Sequence, residues 1–473
     1  MLNDDHTIVA PSTPAGGAIA LIRLSGKDAI EICDKVFRSP NGRKLTSARG
    51  FTLHYGEVVD PTDNRPVDDV LVSIFRAPHS YTGENAAEIS CHGSSYIVSR
   101  IIQLLIRNGA RAAAPGEFTI RAFLSGKLDL AQAEGVADII ASTDRASHSI
   151  AMNQMRGGYS AELNRLRDEL LHLTALLELE LDFSEEDVEF ADRAKLAEIM
   201  HQIQAKIDRL IDSFALGNAI KEGVATAIVG APNAGKSTLL NLLLKEDRAM
   251  VSEIAGTTRD TIEESINIDG IRFRFIDTAG IRSTDDRLEQ MGIDRTFDNI
   301  RRATVVLLVC DLSTFASHAD IRDAVAMFTA QAEELHLRPE QHLLLILNKT
   351  DRVDPQFAAG LCTEIQQRGL ATISLSARTG DGATLLIERL KLTVDLHSVL
   401  AGDTIVSNAR HQEALLQARD ALLRALDGLS AQLPADLLSE DIRQVVYHIG
   451  TITGAITNDE VLGQIFSKFC IGK

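Results

Sequence analysis

Cysteine, long apolar runs and positive charge are all scarce in this 473-residue chain. The five cysteines, Cys33, Cys91, Cys310, Cys362 and Cys470, are scattered and form no C-x-x-C pair. An odd, dispersed set argues against a disulfide frame and against a zinc site, and fits a reducing cytosol. No apolar run is long enough to cross a membrane, and the N-terminus shows no basic-then-apolar leader. A cytoplasmic protein with no membrane attachment is therefore expected. Lysine and arginine number 48 against 66 aspartates and glutamates, a net charge of −18. That balance argues against a surface that coats nucleic acid generally; any RNA contact must be local, or a basic partner must supply it. What is present is ample: 45% hydrophobic residues, in a length that suits about three domains.

The most specific stretch is Gly230-Ala231-Pro232-Asn233-Ala234-Gly235-Lys236-Ser237, which reads G-x-x-x-x-G-K-S and follows the apolar run Val224 to Val229. A strand feeding a glycine-rich loop that opens a helix cradles phosphates with backbone N–H groups and the positive helix end. Nucleotide contacts are expected from Asn233, Ala234, Gly235, Lys236, Ser237 and Thr238. Lys236 would reach the β- and γ-phosphates, and Ser237 would hold Mg²⁺.

Elements downstream choose the nucleotide. Asp277-Thr278-Ala279-Gly280 ends the alternation Phe273, Phe275, Ile276. Its Asp can reach Mg²⁺ through water, and its Gly N–H can meet the γ-phosphate. Asn348-Lys349-Thr350-Asp351 follows the apolar run Leu343 to Leu347. The Asp351 carboxylate can accept from N1–H and the 2-amino group of guanine; adenine offers neither donor, so GTP is favoured over ATP. Ser376-Ala377-Arg378 follows Ala371 to Leu375 and would pack its backbone on the guanine O6. Between the first two elements, Gly256-Thr257-Thr258-Arg259-Asp260 offers a Thr that binds Mg²⁺ while γ-phosphate is present and lets go after hydrolysis. The residue after Gly280 is Ile281, where small signalling GTPases carry a water-orienting Gln. Carboxylates that follow are Asp285, Asp286 and Glu289, of which the first two read as a solvated loop.

The chain reads as multidomain. Residues 1–125 are mixed α+β, with strands at Ile19 to Leu24 and Val70 to Phe75 and a helix at Ile97 to Leu105. Residues 126–219 are helical: Leu163, Leu166, Leu170, Leu173 and Leu177 form a heptad seam, and Leu196, Ile199, Ile203, Ile207, Leu210 and Phe214 continue at helix spacing. Residues 220–382 form an α/β P-loop GTPase domain. Helical patterning returns over 383–473 with Leu415, Leu422, Leu426 and Leu429. A GTPase domain inserted into an all-α domain is the economical arrangement, so that switch motion could be felt by the helices. The acidic residues Asp182, Glu185, Glu186, Asp187 and Glu189 lack a His or Cys to complete a metal site and read as a solvated helix end or loop.

The tail Ile465-Phe466-Ser467-Lys468-Phe469-Cys470-Ile471-Gly472-Lys473 is apolar enough to dock. Gly472 and Lys473 exclude a prenylation box. Cys470 reads either as a buried apolar thiol or as a reactive one. Ser80 to Gly93 is turn-rich and then strand-like; its lone His92 is more often a satisfied structural residue than a catalyst.

Together these residues resemble the bacterial and organellar tRNA-modification GTPase family MnmE (TrmE) over the whole chain. The resemblance rests on Thr7-Ile8-Val9-Ala10, Tyr81-Thr82-Gly83-Glu84, Cys91-His92-Gly93, Pro115-Gly116-Glu117-Phe118, Lys127 to Glu134, the GTPase motifs and Phe469-Cys470-Ile471-Gly472-Lys473. It implies an N-terminal folate-binding and dimerisation domain and a homodimer. It implies a flavin-dependent partner, MnmG (GidA), joined in a heterotetramer. The pair would place an aminomethyl or carboxymethylaminomethyl group on C5 of the wobble uridine of tRNA, with the carbon from a 5-formyl- or methylene-tetrahydrofolate. By matching positions, Arg23, Glu88, Lys127 and Lys473 would bind the folate, and Cys470 would act near it. The resemblance also implies K⁺-stimulated hydrolysis, with K⁺ held by the Asn233 side chain and by groups of Ser252, Ile254 and Thr257. Thr258 would join Ser237 on Mg²⁺, and Glu289 would orient the attacking water. A ribosome-assembly or RNA-binding GTPase switch is the competing function, but a folate domain and a Cys470 tail have no purpose in it.

Overall fold

Alternating apolar positions in the first part of the chain build a seven-stranded sheet. The structure, a computed structural model, describes residues 6–14, 16–182, 193–250, 264–276, 299–315, 321–339, 341–394, 404–457, 459–467, 469 and 472. The strands are β1 (Ile8–Pro11), β2 (Ile19–Ser25), β3 (Phe37–Arg38), β4 (Thr52–Val59), β5 (Pro66–Phe75), β6 (Ala86–His92) and β7 (Arg111–Ala112), in the order β3-β4-β5-β6-β2-β1-β7. All neighbours are antiparallel except β1 and β7. Successive side chains in a strand face opposite ways. One face of the sheet therefore gathers Val9, Ile22, Leu24, Val70, Val72, Ile74 and Ile89 into a core. The amphipathic helices Ala29–Val36 and Ser95–Arg107 close that core through Ile30, Ile32, Ile101, Leu104 and Leu105.

The register places Leu53, Ser73, Glu88, Arg23 and Ala10 in one row on the opposite face. The helix Glu117–Leu124 covers one end of that face through Phe118, which packs with Ile8, Ala10 and Ala113. At the other end Leu53, Tyr55 and Leu71 are 61%, 58% and 40% exposed.

The same compact unit, formed by Met1–Ala137, Gln154–Glu198 and Asp420–Lys473, contains a long helix pair. Along Gly158–Asp182 the expected leucine seam is real: Leu163, Leu166, Leu170, Leu173 and Leu177 are all buried. The facing helix Ala435–Thr453 buries Leu438, Ile442, Val445, Ile449 and Ile452 at the same alternation of four and three, the spacing that keeps one stripe against a partner. Arg443 pairs with Glu178 across the two helices. Phe466, at the end of the helix Asp459–Phe466, and Phe469 beyond it pack with Leu130 and Ala133, so the described part of the tail docks.

The second unit comprises Asp138–Asn153 and Ile199–Arg419. Its six-stranded sheet is β8 (Val224–Val229), β9 (Glu264–Ile268), β10 (Ile271–Phe275), β11 (Val305–Asp311), β12 (His342–Asn348) and β13 (Thr372–Ser374), in the order β13-β12-β11-β8-β10-β9. Only β9–β10 is antiparallel. Strands covered on both faces read as continuous apolar runs, as β8 and β11 do. The helices Lys236–Met250 and Ala383–Lys391 cover one face, and Ile321–Glu333 and Pro355–Gln367 the other. This is the α/β P-loop architecture, set in the chain between helical stretches.

In the helix Arg193–Glu222 the buried stripe differs by a residue from the expected one. Leu196, Met200, Ile203, Ile207 and Leu210 are buried, whereas Ile199 and Phe214 are half-buried. The 4-3-4-3 repeat is better served by the flexible Met200, which the expectation passed over. Likewise Leu415, Leu422 and Leu429 are buried in Ala409–Ser430, while Leu426 is half-buried and Ala418 and Ala425 fill the seam.

Candidate nucleotide site and a second polar cluster

Packing forces the loop after β8 to be glycine-rich. Gly230 has φ +142°, and a Cβ there would stand 2.2 Å from the Val309 carbonyl oxygen of β11. Gly235 has φ +102°, and a Cβ there would meet Asn348 Nδ2 at 2.2 Å. Asn233 takes a left-handed φ of +61°, which Asn tolerates better than most residues. Ala234 is fully buried, and Leu239, Leu240 and Leu243 anchor the helix that follows, so its positive end faces the loop. Lys236 Nζ donates to the carbonyls of Gly230 at 2.7 Å and Ala231 at 3.0 Å, and burial pushes its pKa down. Ser237 and Thr238 are exposed at the helix start.

The segments Asn348 to Asp351 and Ser376 to Arg378 meet that loop through one side chain. Asn348, at the end of β12 and 2% exposed, donates Nδ2 to the Ala234 carbonyl at 2.7 Å. Its Oδ1 accepts from the Ala377 N–H at 2.9 Å. Lys349 has φ +66°, and its Nζ pairs with Asp311 Oδ2 at 2.5 Å. Ser376 Oγ donates to Asp351 Oδ1 at 2.7 Å, and Arg378 lies 3.0 Å from Oδ2. The Ser376 hydrogen bond, with help from the Arg378 charge, holds the Asp351 carboxyl below the usual range against the opposing effect of burial. One buried amide thus ties the loop after β8 to the Ser376–Arg378 loop, and that second loop holds the Asp351 carboxylate.

A second polar cluster sits on the sheet of the other unit. Arg23 Nε donates to Glu88 Oε1 at 2.8 Å, directly across β2 and β6. The Arg23 guanidinium lies 5.5 Å from the Tyr81 ring centre and 5.8 Å from that of Phe118. Tyr81 is held by Thr119, their hydroxyls 3.0 Å apart, and burial raises its pKa. Lys127 is exposed beside the same loop, its Cε 3.5 Å from where a Cβ on Gly83 would stand. The tail reaches this region too: Ser12 Oγ donates to the Gly472 carbonyl at 3.3 Å, and a Cβ on Gly472 would stand 2.1 Å from the Pro11 carbonyl oxygen.

His92 is satisfied structurally, its Nδ1 2.7 Å from Asp68 Oδ1 and its backbone N–H donating to Asp68 Oδ2 at 2.8 Å. Burial pushes the thiols of Cys33 and Cys310 up to about 12 and that of Cys91 up to about 11, so none of these is a nucleophile at neutral pH.

Residues 7–127 match the family model described as the GTP-binding protein TrmE N-terminus, and residues 130–470 match the MnmE helical domain. The tRNA modification GTPase MnmE of Christiangramia forsetii is 51% identical over 479 residues, covering 100% of both chains. That of Flavobacterium johnsoniae is 49% identical over 475 residues, again covering 100% of both. The chain belongs to the MnmE family of tRNA modification GTPases. Among solved structures, it is similar to a structure of Aquifex aeolicus Era bound to GDP.AlF4-, 26% identical over 42% of this chain and 66% of that one, with a TM-score of 0.26. That likeness adds nothing to the fold described above.

In this MnmE-family chain, several expected site residues lie outside the described residues: Ser252, Ile254, Thr257, Thr258, Asp277, Thr278, Ala279, Gly280, Ile281, Asp285, Asp286, Glu289, Cys470 and Lys473. The acidic residues Glu185, Glu186, Asp187 and Glu189 also lie outside them. The described residues bring together Asn233, Ala234, Gly235, Lys236, Asn348 and Ala377 in one place, and Arg23 and Glu88 in another. Sequence reasoning missed Asp311, Tyr81 and Phe118 as neighbours of these groups. Asp311 had a legible signal, since the apolar run Val305 to Val309 reads as a strand and Asp311 ends it. The approach of Tyr81 and Phe118 to Arg23 had none, because three separated segments make it.

Proposed function

We propose that this chain is the GTP-hydrolysing half of a cytoplasmic complex that modifies C5 of the wobble uridine in tRNA. Its folate would be a one-carbon tetrahydrofolate and its partner a flavin-dependent MnmG-type protein. What supports the nucleotide half is the Asn348 side chain, bonded to the phosphate loop on one side and to the Ser376-Ala377-Arg378 loop on the other. In this reading the nucleotide phosphates replace the Gly230 and Ala231 carbonyls as partners of Lys236. Asp351, oriented by Ser376, accepts from the guanine edge, and Ala377 packs its backbone at O6 beside Arg378.

Mg²⁺ suits Ser237, which opens the helix at the loop, with Thr258 and the Asp277 to Gly280 segment completing the site. K⁺ suits Asn233, whose left-handed backbone sets its side chain on the exposed rim of the loop; Ser252, Ile254 and Thr257 would be its other ligands. These ions supply positive charge against the phosphates as negative charge develops. Glu289 would orient the water that attacks.

The folate reading is supported by chemistry already paired on the sheet. Arg23 is planar, charged and set over aromatic faces, which suits a carboxylate or a flat ring. Glu88 suits ring N–H donors, and Lys127 and Lys473 suit the glutamate tail. Folate supplies the one-carbon unit, and Cys470 would act beside it. The open apolar surface of Leu53, Tyr55 and Leu71 lies on the same face as Arg23 and Glu88, and a second copy of the chain would cover it.

Two measurements on the full-length protein test this reading. Saturable binding of 5-formyltetrahydrofolate is expected, and its absence would favour a ribosome-assembly GTPase. Turnover of GTP is expected to be much faster in K⁺ than in Na⁺; equal rates would sink the Asn233 role.

A further inference from the structure

The last residue of β11 is Asp311, and the register sets it directly beside Asn348, the last residue of β12. The next residue, Lys349, turns into the left-handed region with φ +66°. A lysine has no local hydrogen bond to offset that backbone, so something must hold it there. Its Nζ reaches Asp311 Oδ2 at 2.5 Å. Both side chains are largely screened from water, at 21% and 17% exposure.

Asp311 is itself held from the other side. Its Oδ1 accepts from the Ser313 N–H at 2.9 Å and from Ser313 Oγ at 2.6 Å, capping the short turn Leu312–Thr314. The two oxygens thus have separate tasks, one fixing the carboxylate and the other holding the ammonium. Burial alone would raise the Asp311 pKa, but the hydrogen bonds from Lys349 and Ser313 outweigh it and keep the group ionised.

We infer that Asp311 is a positioning residue for guanine recognition: by pinning the Lys349 ammonium it fixes the turn that projects Asp351 toward the base. The inference rests on the GTP-binding reading and adds a residue to it. Lys349 stands between Asn348, which holds the phosphate loop, and Asp351, which Ser376 orients. A rigid Lys349 turn therefore sets the spacing between phosphate cradle and base reader. Without Asp311 the ammonium is unpaired, and the loop loses its fix before nucleotide arrives.

The test is a double-mutant cycle read by titration of fluorescent GDP into the full-length protein. Asp311→Asn keeps an oxygen for Ser313 and removes the charge; Asp311→Ala removes both. Each is expected to weaken GDP binding about tenfold in the wild-type background. In a Lys349→Met background, Asp311→Asn is expected to have no further effect, because its partner is already gone. Equal losses in both backgrounds would mean that Asp311 acts independently of the Lys349 ammonium, and would overturn the inference. Wild-type affinity in Asp311→Asn would overturn it as well. Failure of the unmodified chain to bind GDP would instead refute the nucleotide reading itself, so the two failures are distinguishable.

Discussion

Asn348 holds the phosphate loop through Ala234, whose carbonyl accepts from Asn348 Nδ2 at 2.7 Å. The other end of the same amide takes the Ala377 N–H. The loop after β8 and the Ser376–Arg378 loop thus share one buried group. Asn348→Ala removes both bonds and leaves the Ala377 donor buried without its partner. The cost is roughly 2–3 kcal/mol, spread between folding and binding. GDP affinity is expected to fall at least about tenfold, measured by titration with fluorescent GDP. Unchanged affinity would mean the loops are held independently.

Gly230 is expected to tolerate no side chain. Its φ of +142° and the 2.2 Å approach of a Cβ to the Val309 oxygen combine strain with a clash against backbone. Gly230→Ala should cost more than about 3 kcal/mol and lower the melting temperature. Gly369→Ala is the comparison: it has φ +84° and nothing within 4 Å of a Cβ, so strain acts alone. Its cost should be nearer ~1 kcal/mol. Equal melting temperatures for the two variants would contradict the steric argument.

Acid should release GDP late. On the proposed reading Asp351 must be ionised to accept from guanine, and the Ser376 hydrogen bond, with Arg378, holds its pKa below the usual carboxylate range. A depressed folded-state pKa means the favourable contribution is full above the ordinary carboxylate pKa and disappears only as pH falls through the lower folded value. Ser376→Ala removes the largest of these causes. The acid limb of a GDP-binding profile is therefore expected to move to higher pH in that variant. A limb that stays in place would disconnect Ser376 from Asp351.

The phosphate loop, Asn348 to Asp351 and Ser376 to Arg378 were legible because each follows a buried strand, where apolar runs switch abruptly to glycine or polar residues. The leucine seam from Leu163 to Leu177 was legible for a similar reason, since helical period survives without tertiary knowledge. Met200 was not, because Ile199 next to it is the more apolar choice and only the facing surface decides between them. The Arg23–Glu88 pair is a register fact: residues 65 apart meet because β2 and β6 align. The Lys349–Asp311 pair likewise needs β11 and β12 side by side. Local pattern carries elements; alignment between elements carries sites.

The folate reading makes a separable prediction. Arg23→Ala leaves Glu88 without its 2.8 Å partner, and Arg23→Lys restores charge without the planar fork. Both should weaken 5-formyltetrahydrofolate binding by about tenfold or more, while GTP hydrolysis keeps its rate. Gly472→Val should act similarly on the tail: φ is +93°, and a Cβ there would stand 2.1 Å from the Pro11 oxygen. Calorimetry for folate and phosphate release for GTP give the two readouts. Parallel loss of both activities in all three variants would point to general unfolding instead.

The most direct measurement is mass spectrometry of tRNA nucleosides from cells lacking this protein, with and without the wild-type chain restored. Loss of the C5-aminomethyl-type wobble uridines on deletion, and their return with the wild-type chain but not with Arg23→Ala, is the expected result. Unchanged nucleosides in the deleted cells would contradict the modification role and leave a GTPase with another client.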